Sequence, residues 1–180
     1  RFAAAVIVAM VCMRPALAQV AFVQSTGLFY TASASNITSS TLPSAPKVGN
    51  TIVVIAWSWN QNGVPTLSAT DDAGNTYTSN AQNTYGSSSP GWQNAAILSA
   101  PVTVTKSGFT VSVLSAQSGS QISAVAIEYS GVGSVDQTNT TTGTSATATV
   151  STSAATAVAN ELVVSSLGIL LPSSSNFGSI

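Results

Sequence analysis

Histidine is absent from the 180 residues, and cysteine occurs once, at position 12. The first absence removes Ser-His-Asp triads, histidine-ligated zinc and imidazole general bases. The lone cysteine falls in an amino-terminal apolar run, so thiolate nucleophiles, disulfides and iron–sulfur ligation are not expected of the folded part. Charge is scarce too. Lys and Arg number 4 and Asp and Glu 5, together 5% of the chain, where about 25% is usual. A chain without a basic patch has nothing to neutralise phosphates, so nucleic acid is not an expected partner. Gly131-Val132-Gly133 lacks the third glycine and the following helix of a phosphate-binding loop. Beyond the amino terminus no stretch sustains apolar residues at helical period, so helices are not expected either.

What is present begins with a leader. Arg1 gives a basic start, residues 3–13 are apolar, and Ala16-Leu17-Ala18 has the small-x-small form of a cleavage site. Residues 1–18 therefore read as a secretory signal peptide cut before Gln19. Its apolar run is well short of the roughly 20 residues that span a bilayer, so no stable membrane insertion is expected after cleavage. The expected location is secreted, extracellular or at the cell surface. Residues 19–180 form one domain-sized unit, long enough to bury a core without staples. No Met precedes Arg1, and residues 176–180 read as a strand just starting, so the chain reads as a fragment whose domain is incomplete at the carboxyl end. Serine and threonine, 30 and 22 residues, supply the polar surface that charge does not.

The strongest strand signal is residues 48–60, VGNTIVVIAWSWN, bounded by turn residues and rich in β-branched and aromatic side chains. Alternation places Thr51, Val53, Ile55, Trp57 and Trp59 on one face and Ile52, Val54, Ala56, Ser58 and Asn60 on the other. Further strands are expected over residues 20–24, 27–31, 66–70, 76–78, 92–100, 102–105, 109–113, 122–129 and 161–171, with Gly168 as a bend in the last. Residues 33–44 have room for one exposed strand, residues 79–91 read as a polar loop, and residues 135–149 as a Ser/Thr-rich arm. Asp71-Asp72-Ala73-Gly74-Asn75 and Lys106-Ser107-Gly108 are hairpin signals. Ten or eleven short strands with turns every 8–12 residues describe an all-β domain. A two-sheet antiparallel sandwich of jelly-roll or immunoglobulin-like type is the expected fold.

Four segments met in order carry a resemblance: Val48-Gly49-Asn50-Thr51-Ile52-Val53-Val54, Asp71-Asp72-Ala73-Gly74-Asn75-Thr76-Tyr77, Glu128-Tyr129-Ser130-Gly131-Val132, and Ala159-Asn160-Glu161-Leu162-Val163-Val164. Together they resemble bacterial secreted β-sandwich modules found in surface and multidomain extracellular proteins, a mostly uncharacterised group. The resemblance implies a sandwich, an extracellular location and neighbouring modules in a longer chain. It brings no catalytic residues.

The candidate sites are few. Trp57, Trp59, Tyr85 and Trp92 are either core-capping rings or a stacking platform for sugar rings. Asp71, Asp72 and Asn75 place three oxygen-bearing side chains within five residues, which can seed a calcium site or simply build a turn. Glu128, at the end of an apolar run, is the candidate acid of a carboxylate-dependent glycoside hydrolase, or else an exposed strand-end charge. The expected function is a non-catalytic structural or adhesive module, with polysaccharide or a cell-surface glycan as the possible ligand. A secreted hydrolase is the alternative.

Overall fold

The computed structural model describes residues 19–143, 149–157 and 161–168. The leader expected over residues 1–18 and the end of the strand expected over residues 161–171 lie outside the described residues. Eight strands follow in chain order: β1 Ala21–Ala34, β2 Asn36–Thr38, β3 Thr51–Asn60, β4 Leu67–Asp71, β5 Thr78–Ser87, β6 Gly91–Pro101, β7 Val111–Ser115 and β8 Ser120–Ser130. Among the described residues there is no helix.

The strands form two antiparallel sheets, one of five strands in the order β1-β8-β3-β6-β5 and one of three in the order β2-β7-β4. The expected two-sheet sandwich is the fold. Only β5 and β6 are consecutive strands paired in one sheet; every other connection crosses between the sheets. β1 and β2 are separated by Ser35 alone, so one extended segment turns a corner from sheet to sheet.

β3 lies at the centre of the large sheet, paired along its length with β6 and β8. Its inward face carries Ile52, Val54 and Ala56. These pack with Ala96 and Leu98 of β6 and Ile122, Ala124 and Ala126 of β8. The small sheet answers with Leu67 and Ala69 of β4 and Val111 and Val113 of β7, while Leu42, Val102 and Phe109 close the ends from connections. Phe109 is the largest fully buried side chain; truncating such a ring to alanine costs about 3–5 kcal/mol.

Several expectations are corrected. Residues 79–91 are not a loop: most of them belong to β5 and to the turn into β6. A sheet edge solvated on one side can be built from Asn, Gln, Ser and Thr, so this strand shows no apolar alternation. Residues 102–105 and 109–113 do not form a hairpin. Only β7 is a strand there; the preceding segment holds Val102 and Phe109 in the core without pairing as a sheet. The turn over residues 71–75 carries the expected local chemistry, but it crosses between sheets from β4 to β5 and is not a hairpin. Residues 161–168 are not a strand. At the end of this segment Gly168 meets the indole of Trp57 on the outer face of the large sheet.

Candidate functional site

Directly paired residues of neighbouring strands share a face. The register therefore assembles the outer face of the large sheet row by row. One row runs Gln121 of β8, Trp59 of β3, Gln93 of β6 and Tyr85 of β5. The next runs Tyr30 of β1, Ser123, Trp57, Ala95 and Asn83. A third is aliphatic: Leu28, Val125, Ile55, Ile97 and Ala81. Tyr85 is 40% and Tyr30 57% exposed, and Trp57 and Trp59 are half-buried.

The two tryptophans are held differently. A Cβ on Gly91 would come within 2.6 Å of Trp59 Nε1, with Cε2 and Cζ2 at 2.7 and 2.8 Å. The indole thus sits directly on that glycine, whose φ of +122° also suits glycine alone. Trp57 donates from Nε1 to Gln93 Oε1 at 3.1 Å, and a Cβ on Gly168 would come within 2.6 Å of its Cδ1. Gly168 thus lies against Trp57.

Trp92 does not join this face. It pairs with Asn60, which points inward, so it belongs to the opposite side of the sheet. Tyr30, Asn83, Gln93 and Gln121 join the candidates without having been singled out. Alternation alone assigns each to a face of its own strand, but the cross-strand register that makes them neighbours is not visible in a linear pattern.

Asp71 and Asn75 are occupied by their own turn. Asp71 Oδ1 accepts from the backbone N–H groups of Ala73, Gly74 and Asn75 at 3.0, 2.7 and 3.0 Å, and Oδ2 accepts from Asn75 Nδ2. Asn75 Oδ1 accepts from Thr103 N, Thr103 Oγ1 and Val104 N, and Nδ2 donates to Val104 O. Asp72 faces away, toward Thr110 N at 3.1 Å and Lys106 Nζ at 3.0 Å. The trio therefore does not converge on one point. Among the described residues no three His, Cys, Asp or Glu side chains are grouped to hold a metal ion.

Glu128 is fully buried, so the reading of it as an exposed strand-end charge is corrected. It is in phase with Ile122, Ala124 and Ala126, and period two carries it into the interior with them. Its oxygens are taken up by the protein: Oε1 accepts from Lys47 N at 2.8 Å and Asn50 Nδ2 at 2.5 Å, and Oε2 from Gln24 Nε2 at 2.5 Å. Gln24 Oε1 in turn accepts from Ser44 N and Oγ. The carboxylate ties the segment before β3 to β1 and β8.

An open groove of about 470 Å³ occupies the far end of the outer face, between Thr51, Thr78, Ser99, Pro101 and residues 132–135. None of its lining residues ionises. Comparison of the chain with protein-family models, with curated proteins and with solved structures finds no match.

Proposed function

We propose that this chain is a non-catalytic module of a secreted or cell-surface protein and that it binds an uncharged polysaccharide on the outer face of its five-stranded sheet. The observation that carries this reading is the pair of adjacent cross-strand rows bringing Trp57, Trp59, Tyr85 and Tyr30 together with Asn83, Gln93 and Gln121. Aromatic rings stack on the apolar faces of sugars, and the amides of Asn83 and Gln121 can bond the hydroxyls at their rims, while Gln93 is buried and holds Trp57. No residue of either row is charged. The engagement of Glu128 and Asp71 within the protein's own hydrogen bonds favours binding over carboxylate chemistry.

The test is affinity electrophoresis of the chain through gels containing neutral polysaccharides, with Tyr85→Ala beside it. Retardation that the substitution weakens supports the reading. Unretarded migration through every neutral polysaccharide sinks it.

A further inference from the structure

Resting on that reading, we infer that the ligand is an extended β-linked glycan lying across the strands, along the row Gln121–Trp59–Gln93–Tyr85. Trp59 and Tyr85 stand two strands apart, about 9.5 Å at the usual interstrand spacing. That distance matches two sugars of a straight β-1,4 chain, in which every second ring presents the same face. Two rings on one level therefore meet sugars i and i+2, and Gln93 falls beneath the sugar between them. A chain of α-1,4 links coils, so successive sugar faces leave the plane and cannot lie on such a row.

The row is built in advance. Trp59 is seated on Gly91, so one side of the indole is fixed against backbone. Fixing a rotamer-rich side chain before binding removes an ordering cost from association. Gln93 is buried, and its Oε1 is held by Trp57 Nε1. This gives Trp57 a different part from Trp59. It lies against Gly168 and orients Gln93, so Trp57 is a positioning residue, and Trp59 and Tyr85 are the stacking residues.

The experiment is depletion of the chain onto microcrystalline cellulose and onto chitin, with insoluble amylose and polygalacturonate as comparison solids. Titration with soluble β-1,4 gluco-oligosaccharides follows. Retention on cellulose or chitin is expected, at least tenfold above amylose. Affinity rises from the disaccharide to the tetrasaccharide and levels off beyond it. Trp59→Ala and Tyr85→Ala each weaken binding about tenfold or more, and Trp92→Ala leaves it unchanged. Tyr85 stands exposed on an edge strand, so its alanine variant stays folded even if the tryptophan variant does not. Equal retention on amylose, or stronger retention on polygalacturonate, overturns the straight-chain assignment while leaving the platform as a glycan site. Retention indifferent to Tyr85 overturns the row. No retention on any neutral solid removes the underlying reading as well.

Discussion

Gln24 and Glu128 face each other across the β1–β8 pair, 104 residues apart in sequence, with Gln24 Nε2 2.5 Å from Glu128 Oε2 in a buried site. None of the three groups donating to Glu128 is a cation. A carboxylate removed from water and satisfied only by amides depends on all of them.

Glu128→Gln puts an NH₂ group against one set of those donors. Gln24 cannot turn its carbonyl to meet it without releasing Ser44. The expected loss is about 1–3 kcal/mol for the donor left unpaired. For a chain of this size that lowers Tm by roughly 2–12 °C. Thermal melting followed by far-UV circular dichroism reads it. An unchanged Tm would mean that Glu128 is not the tie it is described as.

Asn75→Ala removes the acceptor of Thr103 N and Val104 N, and with it the link between the 71–75 turn and the segment that follows β6. Asn75 is buried, so the orphaned donors cost about 1–3 kcal/mol. Since Asp71 is occupied by four N–H donors, millimolar calcium is expected to leave the Tm of the unmodified chain where it is. A rise of several degrees on adding calcium would show the turn opening to take the ion.

The Tyr77 hydroxyl is buried without a hydrogen-bond partner. Burial above all, and then the nearby Asp71 and Asp72, hold the phenol far above its ordinary value of 10.0. A phenol raised on folding adds stability that is fully present below the unfolded value, about 10. That contribution drains as pH climbs past it toward the folded value, because only the unfolded chain readily ionises. Tyr77→Phe is expected to melt at or above the parent at neutral pH and to lose the alkaline sensitivity above about pH 10. A fall of more than about 1 kcal/mol at neutral pH would show that the hydroxyl does bond Asp71.

Partial burial acts upward on the Asp72 carboxyl, but the Thr110 N–H and the Lys106 ammonium outweigh it and hold the group below its ordinary value of 3.8. A carboxyl lowered on folding contributes stability above its unfolded value and loses it as pH falls through the folded one. Both partners of the pair are well exposed, so screening keeps its worth below about 1 kcal/mol. Asp72→Asn is therefore expected to cost a few tenths of a kcal/mol at pH 7 and low salt. The difference from the parent should shrink in high salt, and on acidification it should begin to shrink near about pH 4 and disappear only at lower pH, as the folded carboxyl protonates.

Gly91→Ala puts a methyl carbon where the Trp59 indole now lies and forces a φ of +122° on an L side chain. Stability should fall by about 1–3 kcal/mol, and the tryptophan emission spectrum should shift as the ring is displaced. If the emission stays put, the ring does not rest on this glycine.

The central strand, the two strands that flank it and the sandwich were legible because Thr51–Asn60, Gly91–Pro101 and Ser120–Ser130 alternate around a continuous apolar interior. Thr78–Ser87 was not, because an edge strand of amides and hydroxyls has the composition of a loop. Residue type argues for an exposed Glu128, while its phase with Ala124 and Ala126 points inward, and the phase prevails. Trp57, Trp59 and Tyr85 were readable as candidates one by one. Their company with Gln93 and Gln121 depends on register between segments up to about 60 residues apart, and local pattern carries no such information.

The first strand of the large sheet finds its neighbour there only in the last, Ala21–Ala34 against Ser120–Ser130. A chain emerging amino end first, from a ribosome or through a narrow pore, cannot close this sheet until Ser130, about 100 residues after the first strand, has come out. Until then the edge of Thr51–Asn60 that the last strand will pair has no partner, and an unpaired strand edge is where a second chain can add.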